Sequence, residues 1–97
     1  MKPGFVYISS NKKLSVLYIG VTSNLMARMW QHKHHSYKNS FSDKYNAVKL
    51  LYYEYFEDIR SAIQREKQLK HWKREWKWDL IKKTNSELRD LYDELSG

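Results

Sequence analysis

Three side chains in the first third of the chain have the types and spacing to act on a phosphate. Tyr18 lies in the run Leu17-Tyr-Ile-Gly-Val-Thr22, and Arg28 and His32 follow it closely. A guanidinium donates two parallel hydrogen bonds to phosphate oxygens, while a phenol and an imidazole can orient water or move a proton. Asn24, Arg28 and His32 fall at i, i+4 and i+8, on one face of a helix. Leu17, Tyr18, Ile19 and Val21 are strand formers, and Gly20 lets the backbone approach a neighbour or ligand. Thr22, Ser23 or Asn24 can cap the helix that Leu25, Met26, Met29 and Trp30 continue at helical spacing. The stretch thus predicts a strand that delivers Tyr18, a turn, and a helix that brings Arg28 and His32 to the same place. Taken alone it also fits an ordinary polar helix surface, which is the commoner case.

A fourth candidate lies further along. Ile59, Ala62, Ile63, Leu69 and Trp72 form an apolar helical stripe, and Glu66 falls inside it. A carboxylate turned toward a core needs a partner. Spacing leaves two partners open, an ion pair with Lys70 or an arginine, and a metal ion. Arg60, Arg65, Lys67, Lys70, Lys73 and Arg74 flank this stripe with positive charge. His32, His34 and His35 invite a zinc reading, but the chain has no cysteine and only this one cluster, which argues against it.

The elements that must hold these residues follow from periodicity. Gly4 to Ile8 reads as a strand, with Phe5 and Tyr7 on one side and Val6 and Ile8 on the other. Ser9 to Lys13 is a turn, and Leu14 to Val21 closes a β-hairpin. The first helix runs from about Asn24 to His34. Lys33 to Asn46 is polar and reads as a loop of about a dozen residues, with Phe41 and Tyr45 pinning it down. Val48 to Phe56 is apolar on both alternating faces, which predicts a strand buried on both sides and central in a three-stranded sheet. Asp58 caps a second helix to Trp72, which runs on or breaks near Lys73. Lys83 to Ser86 is a turn, and Glu87 to Leu95 a short amphipathic helix. The order ββαβαα(α) is that of a small α/β (α+β) domain, a three-stranded antiparallel sheet flanked by helices.

Composition narrows the partners. Ninety-seven residues suit one compact domain. The net charge of +7 points to nucleic acid, through neutralisation of phosphates and release of counterions. The absence of cysteine is compatible with a reducing, cytoplasmic setting. No apolar run approaches the ~20 residues of a membrane span, and no secretion signal is expected from the N-terminal pattern.

Together these residues resemble the GIY-YIG nuclease superfamily. Phe5-Val-Tyr7, then Tyr18-Ile-Gly20, then Thr22, Leu25 and Arg28 match its opening motifs. Tyr53-Glu54, Ala62-Ile-Gln-Arg-Glu-Lys-Gln-Leu-Lys70, Trp72 and Leu80-Ile81 are similar to its small stand-alone bacterial branch, which resembles the catalytic domain of the bacterial excinuclease, the excision-repair endonuclease. The resemblance covers nearly the whole chain, residues 1–97 as one domain. It implies phosphodiester hydrolysis with one divalent metal, Mg²⁺ or Mn²⁺. It assigns the two motif tyrosines to Tyr7 and Tyr18, the arginine to Arg28, the metal-binding glutamate to Glu66 and the late asparagine to Asn85, with His32 near the site. Five positions depart from the pattern: Phe5-Val6 stands for Gly-Ile, His71 stands where glycine is frequent, and Ser86 and Leu88 stand where proline and tryptophan often follow the asparagine.

On this reading Glu66 holds the metal and Arg28 grips the phosphate. Tyr7 is the expected base, its phenol lowered by Arg28, and Tyr18 orients water or phosphate; the reverse assignment stays open. His32 is a weaker candidate for proton relay. Lys33, Arg65, Lys67, Lys70, Lys73 and Arg74 are read as grips on the nucleic-acid backbone. DNA is the expected substrate, branched, flapped or single-stranded, in repair or recombination, with RNA left open. Broad substrate tolerance, or a protein partner that supplies targeting, is expected, since no recognition helix or second DNA-binding domain is evident. The competing reading is a non-catalytic nucleic-acid-binding module of the same fold. A structural protein whose Trp and Tyr residues serve a partner surface is a third.

Overall fold

Strand order decides which residues face one another, and here it is β2-β1-β3, all antiparallel. The computed structural model describes residues 2–34 and 48–96. Strands β1 (Gly4–Ser10) and β2 (Leu17–Thr22) form the expected hairpin. Helix α1 (Leu25–Lys33) leads to β3 (Lys49–Phe56), and α2 (Ile59–Lys70), α3 (Arg74–Thr84) and the short α4 (Tyr92–Ser96) follow. This is the α+β order expected from the pattern. Most of the polar stretch read as a long loop, with Phe41, Tyr45 and His35, lies outside the described residues.

Side-chain alternation in β1 divides the core in two. Val6 and Ile8 enter a cluster with Ile19, Leu51, Tyr52, Leu69 and Ile81, on the side of α2 and α3. Tyr7 enters a second cluster with Leu25, Met29, Leu50 and Leu91, on the side of α1 and the C-terminal segment.

β1, and not β3, is the central strand. The apolar character of β3 on both faces reflects helices on both sides of the sheet, which is a separate matter from its place in the sheet. Its backbone is also engaged from outside the sheet. The Leu91 N–H donates to Leu50 O (2.8 Å), the Asn85 amide donates to Leu51 O (3.1 Å), and the Leu50 N–H donates to the Asp90 carboxylate (3.1 Å). An edge covered this way needs none of the charges that usually protect an open one.

Strict alternation fails within β3 as well. Ile8 pairs with Tyr52 and Ser9 with Leu50, which leaves Leu51 as an extra residue in a bulge. Leu51 and Tyr52 therefore share one cluster, while Leu50 joins Tyr7 in the other.

Helix ends follow side-chain chemistry. Asn24 caps α1 by accepting from the Ala27 N–H (3.1 Å), and Thr22 Oγ1 accepts from the Asn24 N–H (3.2 Å). Asp58 caps α2 by accepting from the Arg60 N–H (3.0 Å). Close packing of Gly4, where a Cβ would lie 2.9 Å from Ile59 Cα, lets α2 begin against β1. α2 stops at Lys70 rather than Trp72, and the His71 and Trp72 N–H groups donate to Gln68 O and Leu69 O in a tightened last turn. The last helix is shorter than expected. Leu88 has φ of +56°, and the Asn85 side chain binds both the N–H and the carbonyl of Arg89, so residues 85 to 89 form a turn and α4 starts at Tyr92.

Candidate active site

Tyr7 stands at the centre of the sheet, fully enclosed, and its β2 partner is Gly20. A Cβ at Gly20 would sit 2.5 Å from Tyr7 Oη and 2.6 Å from Cζ. The phenol therefore lies across the one residue of β2 that has no side chain. From α1, buried His32 brings Nε2 to 3.2 Å from Tyr7 Oη. The imidazole meets the Tyr7 ring edge-on at 5.9 Å between centroids and the Tyr18 ring at 5.7 Å, and the two tyrosine rings are 6.1 Å apart. Arg28, one turn before His32, hydrogen-bonds and acts by charge on the Tyr7 phenol, and Tyr18 hydrogen-bonds it as well. Tyr18, Arg28 and His32 thus converge as the strand-turn-helix reading expects, and Tyr7 joins them from β1, whereas Asn24 on the same helix face is spent on capping.

Arg28 does not lower the Tyr7 phenol overall. Burial pushes it well above the ordinary tyrosine range, Tyr18 adds to the rise, and the opposing charge of Arg28 is outweighed. The expectation that Tyr7 is the readily ionised member is therefore corrected. Tyr18 is only partly buried and lines a hollow of about 300 Å³ with Leu17, Ile19, Lys70 and Lys77.

Glu66 sits on α2, which packs against β1 and β2. Its side chain is 20% exposed and pairs with Lys70 at 3.5 Å, so of the two partners that spacing leaves open the ion pair is present. Lys70 is itself 53% exposed, and such a pair contributes little. No group of three or more His, Cys, Asp or Glu that could hold a metal occurs among the described residues. The Glu66 carboxylate is an oxygen donor of the kind a hard ion prefers, and with it alone as protein ligand the other positions would fall to water and phosphate. His34 Nδ1–H donates to Trp30 O (2.8 Å), and the ring stacks on the Trp30 ring at 4.0 Å. His35 lies outside the described residues.

Asn85 is buried and turned to backbone. Its amide nitrogen donates to Leu51 O and Arg89 O (2.8 Å), and its oxygen accepts from the Arg89 N–H (3.0 Å). It ties the end of α3 to β3 rather than offering a free amide.

The six basic residues divide. Lys33 is ion-paired with Asp90, donates to Val48 O (2.9 Å) and lies over the Tyr92 ring. Arg65 is paired with Glu54 through three contacts of 3.0 to 3.3 Å and stands over the Trp72 ring. These two are internal struts, and their expected role as backbone grips is revised. Lys67, Lys70, Lys73 and Arg74 are exposed, Lys73 over the Trp76 ring and Arg74 donating to Ser15 O (2.8 Å). Sequence reasoning missed Asp90 and Glu54 as the acids that capture Lys33 and Arg65, and missed Lys77. No signal marks Lys77 among its basic neighbours, because its place beside Tyr18 depends on how α3 packs.

The family model of the GIY-YIG catalytic domain matches residues 3–86, which include Tyr7, Tyr18, Arg28, His32, Glu66 and Asn85. The chain belongs to the GIY-YIG family. This GIY-YIG chain is also similar to a UPF0213 protein of Syntrophus aciditrophicus (strain SB), 32% identical over 84 residues, which is 84% of this chain and 93% of the relative. No solved structure gives a significant match. Membership places the chain in a nuclease superfamily, whose substrate is nucleic acid and whose nucleases generally use a divalent metal. No helix among the described residues is long and apolar enough to cross a membrane.

Proposed function

We propose that this chain is a divalent-metal-dependent endonuclease of the cytoplasm that hydrolyses phosphodiester bonds in DNA, on branched, flapped or single-stranded substrates arising in repair or recombination. One observation carries the reading: a buried phenol, Tyr7, held 3.2 Å from the His32 imidazole, touched by Arg28 and Tyr18 and laid across Gly20. A merely structural tyrosine needs one hydrogen-bond partner, not an imidazole, a guanidinium and a second phenol.

The chemistry follows from exposure and proton affinity. Hydrolysis requires a water that loses a proton as it attacks phosphorus. Tyr18, the part-exposed phenol, is the group that meets this water, so the reverse of the first assignment is preferred. As Tyr18 takes the proton, its own passes to the Tyr7 oxygen and the Tyr7 proton passes to His32 Nε2. Tyr7 exchanges one proton for another and never holds the anion that its burial disfavours. Arg28 brings a fixed positive charge to the attacked phosphate, where negative charge grows. Glu66 would hold Mg²⁺ or Mn²⁺ in exchange for its loose Lys70 contact. That ion, when bound, polarises the phosphate and supports the leaving 3′ oxygen. Asn85 is a positioning residue that holds the α3 end against β3.

Glu66→Ala and Tyr18→Phe test this. Both are expected to abolish metal-dependent cleavage while leaving DNA binding within about two-fold, since neither change removes a cation. Binding without cleavage in the wild type, indifferent to both substitutions, would favour the non-catalytic binding module.

A further inference from the structure

We infer that Lys70 and Lys77, with the Tyr18 phenol, form a binding site for a backbone phosphate next to the one attacked, so that the nucleic-acid strand reaches the tyrosines over the free edge of β2. The inference rests on the nuclease reading of Tyr18. It adds Lys77, a residue from α3, to the substrate contacts.

The hollow of about 300 Å³ is lined by Leu17, Tyr18 and Ile19 together with Lys70 and Lys77. Successive strand residues point to opposite faces of a sheet. Three in a row lining one hollow means that the hollow follows the edge of the strand and not one face. Among the described residues β2 is an edge strand, since β1 alone pairs with it. The hollow therefore joins the Ile19 side, where α2 and α3 lie, to the Tyr18 side, where Tyr7 and His32 lie. A strand of nucleic acid laid along it passes from the basic helices straight to the phenols.

Charge says what fills the space. Two lysines line one small hollow, and among the described residues the only carboxylate paired with either is Glu66, at 3.5 Å from Lys70. Among the described residues Lys77 has no acidic partner, and it is half-buried beside the hollow. An anion with several acceptor oxygens relieves both ammonium groups at once. When a divalent ion occupies Glu66, Lys70 loses its carboxylate and turns wholly to the phosphate. Neighbouring cations are already engaged elsewhere: Lys73 lies over Trp76, and Arg74 is bound to Ser15 O.

The test is equilibrium binding of a fluorescent single-stranded oligonucleotide to the full chain, in Ca²⁺ or without divalent ion, across a series of salt concentrations. Each phosphate contact contributes about 0.7 to the slope of log K against log salt on a single strand. Lys77→Ala is expected to lower the slope by about 0.7, which weakens binding about five-fold at 0.1 M salt. Lys77→Arg is expected to keep wild-type binding and guards against a folding defect. Lys82→Ala removes an equal charge from the exposed side of α3 and is expected to leave the slope nearly unchanged. Equal effects of Lys77→Ala and Lys82→Ala would mean a diffuse charge effect and would overturn the site, while the nuclease reading stands or falls on cleavage. No oligonucleotide binding by the wild type would overturn both. A specific Lys77 effect with no cleavage under any metal would leave the phosphate site and remove the catalytic reading.

Discussion

Gly20 and Tyr7 define one another. With a Cβ at Gly20 falling 2.5 Å from Tyr7 Oη, any side chain there must displace the phenol from His32. Gly20→Ala is predicted to abolish cleavage and to lower stability by about 1–3 kcal/mol, the usual range for overpacking a core; thermal unfolding and a cleavage assay read the two effects. Wild-type activity in this variant would show that the enclosed phenol is not part of the chemistry. The same burial gives a stability signature. Burial is the largest cause of the rise for both Tyr7 and Tyr52, and Tyr52 also donates to the Glu54 carboxylate, which raises it further. In the unfolded chain both ionise near the ordinary value of about 10. The folded protein keeps both protons to higher pH, so this contribution to stability is complete below that value and is lost as pH climbs through and beyond it. Urea midpoints measured between pH 8 and pH 11 are predicted to fall at the alkaline end, and less steeply in Tyr52→Phe. A midpoint that stays flat would contradict the enclosure of these phenols.

Among the elements, the turn between β2 and α1 and the turn after α3 set the geometry. Asn24→Ala removes the cap of the helix that carries Arg28 and His32, at a cost of about 1 kcal/mol. Asn85→Ala strips two carbonyls and one N–H of their partner, and a cost of about 1–3 kcal/mol is expected in chemical unfolding. If Asn85→Ala were as stable as the wild type, its tie to β3 would be unimportant. How legible the fold was varies along the chain for physical reasons. The hairpin, α1 and the Asp58 cap depend on neighbours in sequence, and alternation, helical spacing and capping chemistry read them directly. So does the convergence of Tyr18, Arg28 and His32, since one strand-turn-helix delivers all three. The central place of β1, the bulge at Leu51 and the turn at Leu88 depend on segments remote in sequence. Asp90 and Leu91 complete the backbone of β3 from some forty residues away, as in the Asp90–Leu50 contact with a separation of 40, and no local pattern announces that. Glu66 was visible as a carboxylate inside an apolar stripe, but its pairing with Lys70 was one of two readings until α2 was seen against the sheet.

For the whole molecule, a formal charge of +7 says that nucleic acid is attracted, and the structure sorts which cations are available to it. Lys33 and Arg65 hold Asp90 and Glu54, whereas Lys67 and Lys70 stand exposed. Arg65→Ala is accordingly predicted to destabilise the fold by about 1.5–3 kcal/mol, the range for hydrogen bonds to a charged group, with little change in the salt dependence of DNA binding. Lys67→Ala is predicted to do the reverse, lowering the salt slope on duplex DNA by up to about 0.9 at no cost in stability. Thermal melts beside salt titrations of each variant separate the two classes, and identical behaviour would refute the sorting. The most direct test of the central claim is cleavage of labelled single-stranded, duplex, flap and branched DNAs in Mg²⁺ or Mn²⁺, with Glu66→Ala, Tyr7→Phe and Tyr18→Phe beside the wild type. Cleavage of at least one substrate by the wild type is expected, with its loss in all three variants, each still folded and still bound to DNA. Undiminished metal-dependent cleavage by Glu66→Ala, or by both tyrosine variants, would contradict it.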